Sequence, residues 1–339
     1  MTQTYRVFDG HNDLLLHLHA QADLRGDSFL TGREGHLDLE KCRAGGFAGG
    51  FFAIYVPPEN RTGAARTAPV APDRARAITL EAAAILLRLT RARPDVIRLC
   101  TSAAQIEAAN RDGAIAALMH VEGAEGIGPD LAELEVLHAA GLRSLGPVWS
   151  RPNIFGHGVP FAYPATPDIG PGLTDAGLRL VAECERLGIL IDLSHLNEAG
   201  FWDVARLSSR PLVATHSCVH AISPHSRNLT DRQLAAIAES GGVVGLNFGC
   251  QFLREDGERR DDTPLATMVR HLAYLVERLG ETGVALGSDF DGALMPQAIG
   301  TAAGLPALTE AMQQAGFGAA LIERICWQNW IDLLRRTIG

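Results

Sequence analysis

Eight short runs of β-branched and small apolar residues recur along the chain, most of them followed by a segment with helical periodicity. This alternation restricts the fold more than any other feature. The runs are Tyr5–Phe8, Gly50–Val56, Ala114–Val121, Ser144–Val148, Ile189–Leu193, Leu212–Thr215, Val243–Phe248 and Val284–Gly287. The helical patterns between them cover Asp38–Ala44, Asp73–Arg91, Leu131–Ala140, Thr174–Leu187, Asn197–Arg206, Thr230–Glu239 and Pro264–Leu279. The stretch "NLTDRQL" places Thr230 at an N-cap, and Gly188 and Gly280 fall where C-terminal caps belong. Strands alternating with helices predict a parallel sheet. Eight such units in 339 residues predict a closed (β/α)8 TIM barrel rather than an open sheet. No strand run leads into a glycine-rich phosphate loop, and "GGFAGG" at Gly45–Gly50 precedes its strand, so it reads as close packing and turn geometry. From about Pro296 a helical cap is expected, with Trp327 and Trp330 packed inward, the whole of 1–339 forming a single domain.

Composition narrows the function classes. The formal net charge of -9 argues against a nucleic-acid partner. Six scattered cysteines without a CxxC pair fit reduced thiols. No apolar stretch approaches the ~18–20 residues that cross a bilayer, and the first residues lack the apolar centre of a signal peptide, so a cytoplasmic protein with no membrane partner is expected.

Two segments interrupt the rhythm. Pro57–Pro72, rich in Pro, Ala and Arg, reads as a long loop after the second strand, and Arg254–Pro264, "REDGERRDDTP", as a charged loop after the seventh. Both follow strand C-terminal ends, where barrel loops rim the active site, and a lid is the functional reading of each.

The chemistry gathers at the same ends. "VFDGHND" places His11 and Asp13 two residues apart, so that alternation along an extended chain points both to one spot. Glu122 follows the third strand in "MHVEGAEGI", His195 the fifth in "IDLSH", His216 the sixth in "VATHS", and Asp289 and Asp291 the eighth in "LGSDFDG". Carboxylates buried together without a cation would repel one another at several kcal/mol per charge. A pair of divalent ions removes that problem, and imidazole with carboxylate is the ligand set of zinc, manganese and iron sites. Two ions ~3.5–4 Å apart need a bridging ligand. Lys41, the sole lysine, is far from any strand end, so Glu122 is the candidate bridge.

With "DGHND", "VEG", "DLSH", "THS", "SRN" and "DFDG" in this order across most of the chain, the sequence resembles the membrane (renal-type) dipeptidase family, peptidase family M19 of the amidohydrolase superfamily. The resemblance implies a (β/α)8 barrel whose two zinc ions share a hydroxide that cleaves short peptides, L,L- and also L,D-dipeptides. It implies His11 and Asp13 on the first zinc, Glu122 bridging, His195 and His216 on the second. Asp289, the first carboxylate after its strand, would contact the first ion and carry the proton, leaving Asp291 as a turn residue. Arg227 matches the arginine that grips the substrate carboxylate, and Asn247 the asparagine of the family's "NF". The chain departs from the family in two places. Trp149 and Ser150 stand near the family's histidine after the fourth strand, with His157 a few residues on, and Gly249 replaces the aromatic after "NF". Trp149 is therefore a candidate substrate contact. These departures keep open a related amidohydrolase acting on N-acyl amino acids. A non-catalytic metal-binding barrel is disfavoured by the complete ligand set. A homodimer is compatible with a barrel enzyme of this kind.

Overall fold

The computed structural model describes residues 4–59 and 67–339. Among these, nine strands form: β1 (Val7–Asn12), β2 (Phe47–Tyr55), β3 (Ile97–Leu99), β4 (Ile115–Glu122), β5 (Leu142–Gly146), β6 (Leu190–Ile191), β7 (Val213–Ser217), β8 (Val243–Leu246) and β9 (Val284–Leu286). Every pairing is parallel. The regular ladders make two arcs, β1-β2-β4-β5-β6 and β7-β8-β9. Single parallel bridges, Asp192 to Val213 and Asn12 to Phe290, join the arcs at both seams. The ring order is that of an α/β barrel, with helices between the strands.

The strand not foreseen, β3, pairs with the first part of β4 from Ile97↔Ile115, ahead of β5, which joins that strand at Met119. Three residues with a half-exposed Arg98 carry no periodic signal. The other eight expected strands are present with shifted limits. β1 runs on to Asn12, so His11 lies inside the strand rather than beyond its tip. β5 stops before Pro147, whose ring nitrogen has no hydrogen for a ladder. β2 begins at Phe47, three residues before the expected start at Gly50, which puts Gly49 within the strand and corrects its reading as part of a preceding turn. Close packing does explain both glycines: a Cβ would stand 2.6 Å from the Ala116 carbonyl at Gly49 and 2.8 Å from that of Asp9 at Gly50.

The predicted helices form, each within a residue or so of its expected limits. Thr230 and Gln233 close a reciprocal capping box, and Gly188 ends its helix in the left-handed region. Even the weakest pattern is a helix, Leu39–Gly45, because the Asp38 carboxylate accepts from the Lys41 amide. Helices at Leu14–Ala20, Asp27–Thr31, Ala103–Arg111 and Cys250–Leu253 were not foreseen.

The cap after Pro296 is helical, over Leu305–Gln314, Ala319–Glu323 and Asn329–Thr337, with a π-turn at Arg324–Gln328. Trp327 and Trp330 are buried. The Trp330 indole donates to the Leu286 carbonyl (2.9 Å) and lies 5.1 Å from the Phe51 ring. It belongs to a cluster with Phe8, Leu118, Val213, Val243 and Ala285 that closes the barrel from below. A Cβ on Gly10 would stand 2.7 Å from this indole, so a bare strand residue makes its room.

Of the loop Pro57–Pro72, residues 60–66 lie outside the described residues. The charged loop after Leu253 is held by Arg254 paired with Asp256 and Asp262, and its Gly257 backbone lies on the Tyr163 ring. The six cysteines are buried free thiols. No helix among the described residues is long and apolar enough to cross a membrane.

Candidate metal centre

The upper end of the ring brings together three imidazoles and three carboxylates. β1 supplies His11 and, just past its end, Asp13. β4 ends in Glu122, β7 carries His216, His195 follows β6 and Asp289 follows β9. All are buried except Asp289, which stays partly accessible. Glu122 Oε1 lies 2.8 Å from His195 Nε2, 3.4 Å from His216 Nε2 and 3.7 Å from His11 Nε2. His11 Nε2 is also 3.5 Å from Asp13 Oδ2. Two ligand-bearing triads result, His11–Glu122–His216 and His11–Asp13–Asp289, sharing His11.

Narrowness of the barrel at this level follows from glycine. A Cβ on Gly10, Gly245 or Gly287 would each stand within 2.2 Å of the Thr215 carbonyl. Above that layer the chain is stitched across the β9–β1 seam. The Asp9 carboxylate accepts from the Ser288 amide (2.6 Å) and hydroxyl (2.8 Å). The Asp289 amide donates to the His11 carbonyl (3.0 Å), and the Asp13 amide to that of Phe290 (2.8 Å). Asp291 is turned away, with its carboxylate accepting from Arg33 and the His36 amide.

Burial shapes the electrostatics. It pushes Glu122 well above the usual carboxylate range, with Asp13 and Asp289 adding to the shift against the pull of His11. Burial likewise raises Asp289 to about 6 and Asp9 to about 7. His195 and His216 are held well below the ordinary imidazole value, by burial first and then by the positive charges of Arg227 and His11. Burial acts downward on His11 too, but Glu122 and Asp13 outweigh it and raise His11 to about 10.

The donor set fits a divalent cation. Both ring nitrogens of His11 and Oδ1 of Asp13 are buried without a hydrogen-bond partner. His216 is oriented for ligation. The Thr215 hydroxyl donates to Asp192 Oδ2 (2.6 Å), so toward His216 Nδ1 (2.9 Å) it can only accept. Nδ1 then carries the hydrogen, and the Nε2 lone pair faces Glu122. Asp192 is fixed in turn by Ser194 and the Thr215 amide. Sequence reading passed over this support, although Asp192 and Thr215 stand inside "DLSH" and "THS".

The residues expected to meet substrate surround this cluster. Asn247 donates to Asp289 Oδ2 (2.9 Å). Arg227 is buried, donating to His195 Nδ1 (3.1 Å), Ser217 Oγ (3.1 Å) and the His216 carbonyl (3.1 Å). Trp149 lies over the His195 ring at 5.9 Å, between Tyr55 and Phe161. Behind it, Arg151 pairs with Glu125 at 2.7 Å. His157 is half-buried and offers its carbonyl to the Asn197 amide. At Gly249 a Cβ would stand 2.8 Å from Phe252, whose ring lies 5.8 Å from the Arg227 guanidinium. Phe252 thus fills the space beside the missing aromatic.

Residues 1–337 match the family model described as membrane dipeptidase (peptidase family M19). A relative from Klebsiella pneumoniae, described as an uncharacterized protein in the pqqA 5' region, is 48% identical over 254 residues, spanning 75% of this chain and 94% of its own. Dipeptidase tcpJ of Claviceps purpurea (strain 20.1) is 28% identical over 338 residues, 98% of this chain and 77% of its own. The crystal structure of a metallo peptidase from Rhodobacter sphaeroides, liganded with a phosphinate mimic of the dipeptide L-Ala-D-Ala, superposes with a TM-score of 0.95 at 52% identity, covering 99% of this chain and 100% of that one.

Proposed function

Because the chain belongs to the membrane dipeptidase family and is a metal-dependent dipeptidase, we propose that it cleaves L,L- and L,D-dipeptides with two zinc ions held by the six converging side chains. The observation that carries this reading is the convergence itself, three imidazoles and three carboxylates from five strand ends, with orphaned ligand atoms among them. His11, Asp13 and Asp289 would hold one ion and His195 and His216 the other, with Glu122 shared between them. When bound, the ions supply Lewis acidity to the scissile carbonyl and lower the pKa of water toward neutral.

The protein's own residues supply proton handling and orientation. Asp289 takes a proton from the attacking water at its carboxylate and returns it to the leaving amine. Asn247 Nδ2 steadies the carboxylate for both transfers. Arg227 uses three of its five N–H groups on protein acceptors, so at least two remain for the substrate's C-terminal carboxylate. Trp149, with Tyr55 and Phe161, walls the other side and excludes water. Acceptance of L,D-dipeptides is supported by the phosphinate mimic of L-Ala-D-Ala bound by the relative that is 52% identical. We further propose a single catalytic domain over 1–339, acting in the cytoplasm without a nucleic-acid or membrane partner and compatible with a homodimer.

Hydrolysis of L,L- and L,D-dipeptides beside N-acyl amino acids, by zinc-loaded protein with a chelated control, tests the reading. Chelator-sensitive cleavage of dipeptides is expected. Cleavage confined to N-acyl amino acids would move the substrate class to the related amidohydrolase.

A further inference from the structure

His195 Nδ1 has two partners of unequal chemistry. Ser150 Oγ lies 2.8 Å away and Arg227 Nε 3.1 Å away. A guanidinium has donors and no acceptor, whereas a hydroxyl has both. With Arg227 donating, Nδ1 must be the acceptor, and the hydrogen of a neutral ring sits on Nε2. That hydrogen has its own acceptor, Glu122 Oε1 at 2.8 Å. The arrangement is complete, but it is the tautomer that cannot ligate through Nε2. A metal on Nε2 requires the hydrogen on Nδ1, where Arg227 can no longer donate and Ser150 can accept.

From this inventory we infer that Ser150 is the positioning residue that holds His195 in its metal-ligating tautomer, and that metal loading hands Nδ1 over from Arg227 to Ser150. The inference rests on the reading of His195 as a metal ligand. No net proton is gained or lost at the ring: the hydrogen leaves Nε2 and an equivalent one stands on Nδ1. The Arg227 Nε–H, released from its acceptor, becomes free to meet a carboxylate.

The surroundings hold the ring in place for this exchange. Trp149, the residue before Ser150, covers one face of His195 at an interplanar angle of 33°. The Val159 amide donates to the His195 carbonyl (2.9 Å), tying the following loop to the same residue. Ser150 is itself buried, so its hydroxyl has no bulk water to turn to. His216 has the analogous support in Thr215, so each of these two imidazoles meets a hydroxyl at Nδ1. Ser150 stands in the segment where the chain departs from the family's histidine, and the departure acquires a function here.

Two readouts test this on the full chain. The first is the histidine ring nitrogen spectrum of 15N-labelled protein, metal-free and zinc-loaded, with His195 assigned by difference against His195→Gln. The hydrogen should sit on Nε2 without metal and on Nδ1 with it. The second is calorimetric zinc titration of the wild type, Ser150→Ala and Ser150→Thr. Ser150→Ala should lose about 10–100-fold in affinity for one of two ions, and Ser150→Thr should restore it to within about threefold. If Ser150→Ala binds both ions within about threefold of wild type, or if Nδ1 already carries the hydrogen without metal, the inference is overturned. If zinc binds and the His195 ring does not respond, the ligand reading of His195 fails as well, and the spectrum tells the two failures apart. Should Ser150→Ala not fold, the wild-type spectra and Ser150→Thr decide alone.

Discussion

Asp289 and Asp291 both adopt the left-handed backbone region, at φ 62° and 67°. Outside glycine that conformation costs on the order of 1–3 kcal/mol per residue, and it persists where the surroundings over-determine it. Here the Asp289 amide is bound to His11, its carboxylate to Asn247, and the Asp291 carboxylate to Arg33 and His36. The strain aims one carboxylate into the centre and anchors the other outside it. Asp289→Asn keeps the shape and removes the carboxylate proposed to accept the proton. It should retain the fold by circular dichroism while kcat for a dipeptide falls by about 10²–10⁴-fold. Equal turnover in variant and wild type would remove Asp289 from its role. Thr215→Val tests the support of His216. Losing the hydroxyl that links Nδ1 to Asp192 should weaken zinc binding by about 10–100-fold in a chelator competition, and Thr215→Ser, which keeps the hydroxyl, should restore it.

The segment from β9 through "SDFDG" works as one unit, and its last glycine is placed for space rather than for backbone freedom. A Cβ on Gly292 would stand 2.1 Å from Asp13 Oδ2 and 2.4 Å from Asp289 Oδ1. Gly292→Ala should therefore push the Asp13 and Asp289 carboxylates apart. Metal content by mass spectrometry should drop while the barrel still forms, and a variant that keeps its full metal content would show that the segment gives way elsewhere. Elements of this kind explain what was legible in the sequence. Imidazoles and carboxylates beside apolar runs are conspicuous, and alternation with helices located the ends that carry them. β3, with three residues, is too short for a period-two signal, whereas β6 was legible as the apolar run Ile189–Leu193 although only two of its residues form the strand. The hydroxyls that orient the imidazoles were invisible for another reason. Serine and threonine occur everywhere, and nothing in "WSR" or "THS" says which nitrogen their oxygen will meet. Gly249 looked like a vacated contact because Phe252, three positions on, enters the same space only after a short helix turns it there.

For the molecule as a whole, the buried carboxylates make stability depend on metal. An ion that binds only the folded chain stabilises it by about 2.7 kcal/mol when its free concentration is a hundred times its Kd. Chelation should lower the melting temperature, and zinc should restore it in a concentration-dependent way. A calorimetric scan with and without chelator checks this. Acid acts through a separate route at His271. Its ring is buried, accepts from the Val219 amide (3.2 Å) and meets the Leu253 carbonyl (2.9 Å), so it is held neutral with its pKa lowered by burial to about 4. An unfolded histidine titrates near 6.5. The native state is therefore at full advantage above that value and loses about 1.4 kcal/mol per unit as the pH falls from there toward 4. Denaturant titrations from pH 7 to 4.5 should give a shallower fall for His271→Leu than for wild type, by close to one proton, even though the variant is less stable throughout. Trp330 has a consequence in time. All nine strands precede it in the chain, and the indole that fills the floor of the ring beside Gly10 leaves the ribosome after every one of them. Until that last helix is synthesised, a nascent chain has nothing with which to fill the floor of the ring.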